Sequence, residues 1–442
     1  WVWLPAGPAL LGEGEIADSF YLVRPGALAA FRRGADARPE LVGHIRAGEP
    51  IGEMALVEDR PHSASVYALR DSELVKLPKA AFDKLTNKHA SLMRELSKMM
   101  LSRIRAGESY RRSEPRVFAL ISTSPTIDLE YRSQQLREAL EEMGVSSISC
   151  GEECADWPGP RLDKFEAEYD IVILQARLGN SNWARRAMAR ADRIWMMARA
   201  DARPSIPLMP EDPSPAAKLK LIDMVMVHNE GVRKAANPSE WIAAADAARC
   251  FHWRQQNASD VRHMARTMCG KSVGLVLSGG GSRAYAHVGA IRAFKEAGVE
   301  FDFYGGASMG GIIAAGAAMG WDMDELEDRM RRAFVDSNPL SDWVMPVVSL
   351  TKGKRVDRRL KEHFGEIDIS ELPRPFFCVS SSLSSGATRI HRTGVLSRAL
   401  RASIAIPGLL PPIVDGDDVL VDGAVFNNFP IQELKAYHRG VN

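Results

Sequence analysis

The chain is short of cysteine, of net charge and of long apolar runs. Five cysteines in 442 residues are a sparse and odd set, which argues against a disulfide framework and for a reducing compartment. Lys and Arg number 57 against 56 Asp and Glu, a net charge of +1. A dedicated nucleic-acid binder carries a strong basic excess, so that class is disfavoured and no nucleic-acid partner is expected. No run of ~18 apolar residues is present, so no membrane-spanning helix is predicted. No signal peptide is visible, although the chain starts at Trp1 rather than Met and a missing upstream segment is left open. What the chain does have is apolar material to bury: 45% hydrophobic against 26% charged residues, the balance of a folded globular protein. At ~150 residues per domain the length suggests about three domains.

Residues 1–110 read as short strands between glycine turns, with the pattern of a small β jelly-roll barrel, followed by a helix from Ala80 to Arg105. Arg111-Arg112-Ser113-Glu114-Pro115 is a polar hinge. Residues 115–250 alternate apolar strands (Val117–Ile121, Tyr169–Leu174, Arg193–Met197, Ile222–Val227) with helices, which predicts an α/β segment on a parallel sheet. Ser122-Thr123-Ser124-Pro125 follows its first strand, with no Gly-Lys-Ser/Thr, so nucleotide hydrolysis has no local support. Residues 251–270 read as a polar connector. An α/β pattern with a mainly parallel central sheet then spans 271–442, and this last domain reads as cut short, because no element closes it after Gly440-Val441.

The chemistry is concentrated in this last part. The strand Val273–Leu277 runs into Ser278-Gly279-Gly280-Gly281-Ser282-Arg283 and then a helix. Such a turn points backbone N–H groups into one cavity, where they hold a phosphate or a developing oxyanion. The next strand ends in Gly306-Ala307-Ser308-Met309-Gly310, a G-x-S-x-G nucleophile elbow in strand–turn–helix context. A serine needs a base, and Val419-Leu420-Val421 delivers Asp422-Gly423-Ala424 from a strand end. Asp415, Asp417 and Asp418 read as a solvated turn, His287 as a packing residue, and His391 and His438 lie outside any motif. Cys150 and Cys154 have no histidine or second pair beside them, so no metal site is expected.

Gly-Gly-Gly-Ser-Arg at 279–283, Gly-Ala-Ser-Met-Gly at 306–310, Arg-Ala-Ser-Ile-Ala-Ile-Pro-Gly at 401–408 and Asp-Gly-Ala at 422–424, in that order, resemble the patatin-like phospholipase domain. The resemblance implies a Ser–Asp dyad with Ser308 as nucleophile and Asp422 as general base. It implies an oxyanion hole from the amides of Gly280, Gly281 and Ser282, with Gly279, Arg283, Gly306, Gly310 and Gly423 supporting the motifs. Ala284 departs from the glycine usual there. In the barrel, Gly52-Glu53-Met54-Ala55-Leu56 and Arg60-Pro61-His62-Ser63-Ala64 resemble the phosphate cassette of cyclic nucleotide-binding domains. Glu53 matches the residue for the ribose hydroxyl, while His62 stands in place of the phosphate-binding arginine and Ser63 follows it. A neutral imidazole cannot make that charged bidentate contact, so the alternatives are a cyclic nucleotide effector and a degenerate cassette with a structural or docking role.

Barrel, α/β segment and patatin-like domain together resemble the neuropathy target esterase family, in its bacterial members. The family implies hydrolysis of lysophospholipids or phospholipids at a membrane surface by a cytoplasmic, peripherally bound enzyme that requires no cofactor. A serine esterase for soluble substrates and a silent ligand-sensing scaffold are the alternatives. Lys352, Lys354, Arg355, Arg358, Arg359 and Lys361 form a basic run, which either meets anionic headgroups or is a solvated helix face. Trp343–Val347 either packs in the core or lines an acyl-chain path.

Overall fold

The structure, a computed structural model, describes residues 1–33, 39–106, 115–179, 181–204, 208, 221–229, 232 and 235–438. The hinge at 111–114 and the chain end at 440–441 lie outside the described residues. Two compact units form: Trp1–Met197 with Pro207–Ile222, and Ala198–Ile206 with Asp223–Asn442.

In the first unit the N-terminal strands make two four-stranded antiparallel sheets. One runs Val2–Leu4, Ser72–Pro78, Ser19–Val23, Pro50–Ile51 and the other Ala9–Leu11, Ser65–Ala68, Ala27–Arg33, Pro39–Arg46. Burial alternates along Ser19–Val23, as it must in a strand with one face on a core. Val23, Leu28, Ala68 and Leu74 centre that core. The helix expected from Ala80 to Arg105 is two helices, Lys79–Lys88 and Ala90–Ala106, interrupted at His89. The α/β part of this unit orders four parallel strands as Ser147–Cys150, Ile171–Arg177, Val117–Ser122, Arg193–Arg199. Val117–Ser122 is buried along its whole length, the signature of a parallel strand covered on both faces. Its following helix, Leu129–Glu142, starts where the Asp128 side chain accepts the Tyr131 N–H. The loop between is closed on itself, with the Ser124 and Thr126 amides bonded to the Ser122 and Ser124 hydroxyls.

The cysteines bring one correction. Cys150, ending a strand, and Cys154, in the next turn, form a disulfide. Four residues apart on a tight bend, they come within bridging distance without any wider framework; Cys250, Cys269 and Cys378 are free. Glu153 lies with the two sulfurs in the one grouping of metal-ligating residue types among the described residues, but sulfurs joined in a disulfide are not thiolate ligands.

In the second unit Asp223 to His228, of the strand Leu221–His228, pairs in parallel with Arg249–Arg254. The segment read as a polar connector from residue 251 is therefore a buried strand at its start. Its polar residues mislead because they are matched inside: Arg249 forms a buried ion pair with Asp223, and His252 bonds His228 and the Ser370 carbonyl. A helix, Ala258–Met268, does follow.

The sheet that carries the chemistry has the order Gly274–Leu277, Phe303–Ala307, Phe376–Ser382, Asp418–Asp422, Ile413–Asp415, with Ala387–His391 also on Phe376–Ser382. The first three strands are parallel. The hairpin strands pair antiparallel, which brings the C-terminal end of Asp418–Asp422 beside Ser380. The helix Ser308–Ala318 is apolar all round and wholly buried apart from Met309, so it is a central helix rather than an amphipathic one.

Asp302, fully buried just before the elbow strand, fixes the helix Ala258–Met268 to this sheet. It accepts from His263 Nδ1 at 2.8 Å, from the Arg266 guanidinium at 2.7 and 3.0 Å, and from the Val273 amide at 2.9 Å. Burial alone raises a carboxyl pKa, but the bonds from His263 and Arg266 outweigh it and hold Asp302 at about 2. Asp302→Ala leaves those donors without an acceptor and is expected to cost about 3–5 kcal/mol. A folded-state pKa below the unfolded one gives stability that is full above the ordinary aspartate range and is lost as pH falls towards 2. Denaturant unfolding at neutral and acid pH checks both: the gap between wild type and variant must narrow in acid.

Candidate active site

Phe303–Ala307 delivers Ser308 into a conformation few side chains adopt, φ +52°. Such strain lifts the Oγ clear of strand and helix alike. The two elbow glycines are required by closeness. A Cβ on Gly310 lies 2.4 Å from the Ser278 carbonyl, and one on Gly306 lies 2.7 Å from the Gly311 nitrogen; neither has room for a side chain.

Ser308 Oγ donates to Asp422 Oδ2 at 2.6 Å, across 114 residues of sequence. Both residues are buried, 6% and 3% exposed. The other Asp422 oxygen accepts the Ala424 amide at 2.8 Å, and the Asp422 amide donates to the Ala405 carbonyl at 2.9 Å. The carboxylate is thereby aimed from three directions. Burial pushes its pKa above the ordinary aspartate value, more than the Ser308 and Ala424 bonds pull it down. A raised carboxyl pKa brings a normally weak base closer to working pH.

The glycine-rich turn lies against this pair. A Cβ on Gly279 is 2.9 Å from Ser308 Cβ, and the Gly279 amide donates to the Asn428 carbonyl. The next amides, of Gly280, Gly281 and Ser282, have no hydrogen-bond partner among the described residues and belong to exposed residues. They start a helical turn, Gly281–Tyr285, where the dipole favours negative charge. Arg283 is exposed at this turn, and Ala284 is buried in the hydrophobic core. The methyl that departs from the usual glycine thus fills the interior and leaves the donors untouched. Gly423 packs directly on the Val379 carbonyl.

No histidine is hydrogen-bonded to Ser308 or Asp422 among the described residues. His287 Nε2 bonds the Ser278 carbonyl, and His391 bonds Ser380 Oγ, its pKa pushed down to about 4 by burial. Asp415 and Asp418 border the hairpin turn and pair with arginines.

Ser403 is the residue that sequence reading gave no role. Its Oγ accepts the Ser308 amide at 2.9 Å and donates to the Val379 carbonyl at 2.7 Å. The Ser308 amide is therefore occupied, whereas among the described residues the amides of Gly280, Gly281 and Ser282 are not. The signal was there in the 401–408 segment, but no spacing rule says that a buried serine ending a helix will hold another strand's amide.

The barrel encloses a cavity of about 400 Å³ lined by Gly52, Glu53, His62, Ser63 and Arg32 among others. Glu53 is buried there, and burial pushes the His62 pKa down against the pull of Glu15 and Asp18. His62 is thus a neutral ring where a cyclic phosphate needs a fixed charge. Arg60 is exposed beside Glu58 and does not line the cavity. Of the residues matched to the cassette, Gly52, Glu53, His62 and Ser63 thus line the cavity and Arg60 does not.

Comparison with known proteins gives three family matches along the chain. Residues 1–89 match the cyclic nucleotide-binding domain model, 160–268 the Neuropathy Target Esterase family P-loop like domain, and 275–435 the patatin-like phospholipase model. An uncharacterized NTE family protein of Mycobacterium tuberculosis (strain ATCC 25618 / H37Rv) is 32% identical over 98% of this chain and 73% of its own length. Lysophospholipase NTE1 of Phaeosphaeria nodorum is 25% identical over 99% of this chain but only 35% of its own length. Patatin-like phospholipase domain-containing protein 6 of Pongo abelii is 26% identical over 97% and 36%. From the three matches in order and the identity along nearly the whole chain, the protein belongs to the neuropathy target esterase family.

Proposed function

We propose that the chain is a serine hydrolase that cleaves acyl esters of lysophospholipids or phospholipids through the Ser308–Asp422 dyad. The observation that carries this reading is the 2.6 Å bond from a strained, buried elbow serine to a carboxylate, inside a segment that matches the patatin-like phospholipase model. Relatives named as lysophospholipases support the substrate class.

In the first step Asp422 takes the Ser308 proton as Oγ attacks the ester carbonyl. The amides of Gly280, Gly281 and Ser282 stabilise the oxyanion; one such donor is worth about 10²–10³ in rate. Collapse of the intermediate breaks the ester C–O bond, Asp422 returns the proton to the departing alcohol oxygen, and an acyl-serine remains. Water then attacks the acyl carbonyl, giving its proton to Asp422; the acyl–Oγ bond breaks, Asp422 returns that proton to Ser308 Oγ, and the fatty acid leaves. Ser403 acts as a positioning residue throughout, by fixing the Ser308 backbone. Every proton in this cycle is held by Ser308, Asp422, the substrate or water, so the reaction draws on no cofactor. The enzyme works at a membrane surface as a peripheral protein; no helix among the described residues is long and apolar enough to cross a bilayer. A cyclic nucleotide has no part in the cycle.

Fatty-acid release from lysophosphatidylcholine is expected to fall by at least about 10³-fold in Ser308→Ala and in Asp422→Asn, and fluorophosphonate labelling to vanish in the first. Wild type that is labelled but releases nothing from lysophosphatidylcholine while hydrolysing short soluble esters overturns the lipid assignment.

The raised Asp422 pKa sets two pH dependences. Activity falls on the acid side at a pH above the ordinary aspartate range, and a profile flat down to that range contradicts the assigned base. Ionised Asp422 also costs folding stability above its raised pKa, a cost that disappears below the unfolded-state value. Asp422→Asn therefore melts higher than wild type at neutral pH and level with it in acid.

Cyclic AMP is expected to leave hydrolysis unchanged and to bind weakly or not at all by calorimetry. His62→Arg, which restores a fixed charge, is expected to tighten binding by about tenfold or more.

A further inference from the structure

The segment between Asp342 and Lys352 neither packs in the core nor hides its apolar side chains. Trp343 is 63% exposed, Met345 81%, Val347 88% and Val348 66%, with Val344 and Leu350 also on the surface. This is a built hairpin. Trp343 bridges Thr351, the Val344 amide donates to the Leu350 carbonyl, the Lys352 amide to the Asp342 carbonyl, and buried Ser349 Oγ to the Thr351 carbonyl. A contiguous apolar tip held rigidly in water is unfavourable unless something covers it.

Its position ties it to the dyad. Between Ser403 and Leu409 one stretch of chain holds three things in turn: the Ser403 hydroxyl takes the Ser308 amide, the Ala405 carbonyl takes the Asp422 amide, and the Gly408 and Leu409 carbonyls take the Leu350 and Thr351 amides. Five residues from Ser403 to Gly408 reach at most about 18 Å, so the base of the hairpin is held close to the nucleophile. Phe426 and Phe429, just beyond Asp422, are also half-exposed.

The charge beside the tip selects what covers it. Lys352, Lys354 and Arg355 follow immediately, and none of their side chains forms an ion pair among the described residues, the Arg355 guanidinium donating to Ser341 Oγ and its amide to the Asp342 carboxylate, whereas Arg358, Arg359 and Lys361 further along the helix Lys354–Phe364 are paired with Glu362 and Glu366. An apolar tip with Trp and Met, bordered by unpaired cations, has the chemistry of an interfacial anchor. We propose that the 343–350 hairpin inserts into the headgroup and acyl boundary of an anionic bilayer and holds the Ser308 site at that surface. The proposal rests on the lipid-ester reading of that site, because a soluble substrate gives the hairpin no reason to lie next to the dyad.

Vesicle flotation with the whole chain carrying Ser308→Ala tests it without turnover. This protein is expected to float with mixed phosphatidylcholine–phosphatidylglycerol vesicles and less with phosphatidylcholine alone. Adding Met345→Glu and Val347→Glu weakens binding by at least about tenfold, while Lys352→Glu with Lys354→Glu removes the anionic preference, about five-fold per charge. Brominated lipid quenches tryptophan emission in the otherwise unaltered hairpin and less in Trp343→Phe. In the active enzyme, Met345→Glu with Val347→Glu leaves hydrolysis of a short soluble ester within about twofold, which also shows that the variant folds. Unchanged flotation of the hairpin variants overturns the proposal, as does a dimer that dissociates in Met345→Glu with vesicle binding intact. Flotation that follows the hairpin, in a protein that does not hydrolyse lysophospholipid, leaves the anchor standing and removes the substrate assignment.

Discussion

The hydrogen bond from Ser308 to Asp422 is the contact on which the rest of the catalytic unit depends. It joins ends of two strands separated by Phe376–Ser382, one parallel and one antiparallel to it, and each partner is set by the backbone of another element. Ser403 holds the Ser308 amide, the Ala405 carbonyl accepts the Asp422 amide, and Ala424 fixes the second carboxylate oxygen. Glycines at 279, 306 and 310 let these elements approach within distances no Cβ tolerates. The geometry follows from packing rather than from any one strong interaction.

The unit accepts unfavourable terms at its centre and offsets them around it. Ser308 sits at a positive φ and Asp422 is a carboxylate taken out of water. Beneath them runs a helix of small and branched apolar residues with no exposed face, and at the other end of the elbow strand Asp302 accepts from His263 and Arg266. Strain at a functional site persists only where surrounding structure over-determines it.

The elbow, the glycine turn and Asp422 were legible in the sequence because each is a strand end followed by glycine, a local pattern with one structural meaning. The barrel was legible from the spacing of its strands and turns. Three things were not. Ser403 acts through tertiary contact alone. The strand Arg249–Arg254 reads as polar because its arginine and histidine are matched by Asp223 and Ser370 from other elements. Trp343–Val347 reads as core or as a chain-lining segment, since periodicity reports apolar character without saying which side of the surface it lies on. The break at His89 and the Cys150–Cys154 bridge depend likewise on local geometry finer than composition.

The distance in sequence between nucleophile and base has its own consequence for how the protein comes into being. A chain made from its N-terminus exposes the Ser308 elbow more than a hundred residues before Asp422 has been synthesised. Contacts of that span close late, after the loop between them has been ordered. Until the Asp418–Asp422 hairpin docks, Ser308 has no carboxylate partner and the Asp422 clamp from Ala405 does not exist. A nascent or partly unfolded molecule therefore lacks the Ser308–Asp422 pair, whose formation marks completion of the whole unit rather than of any one part.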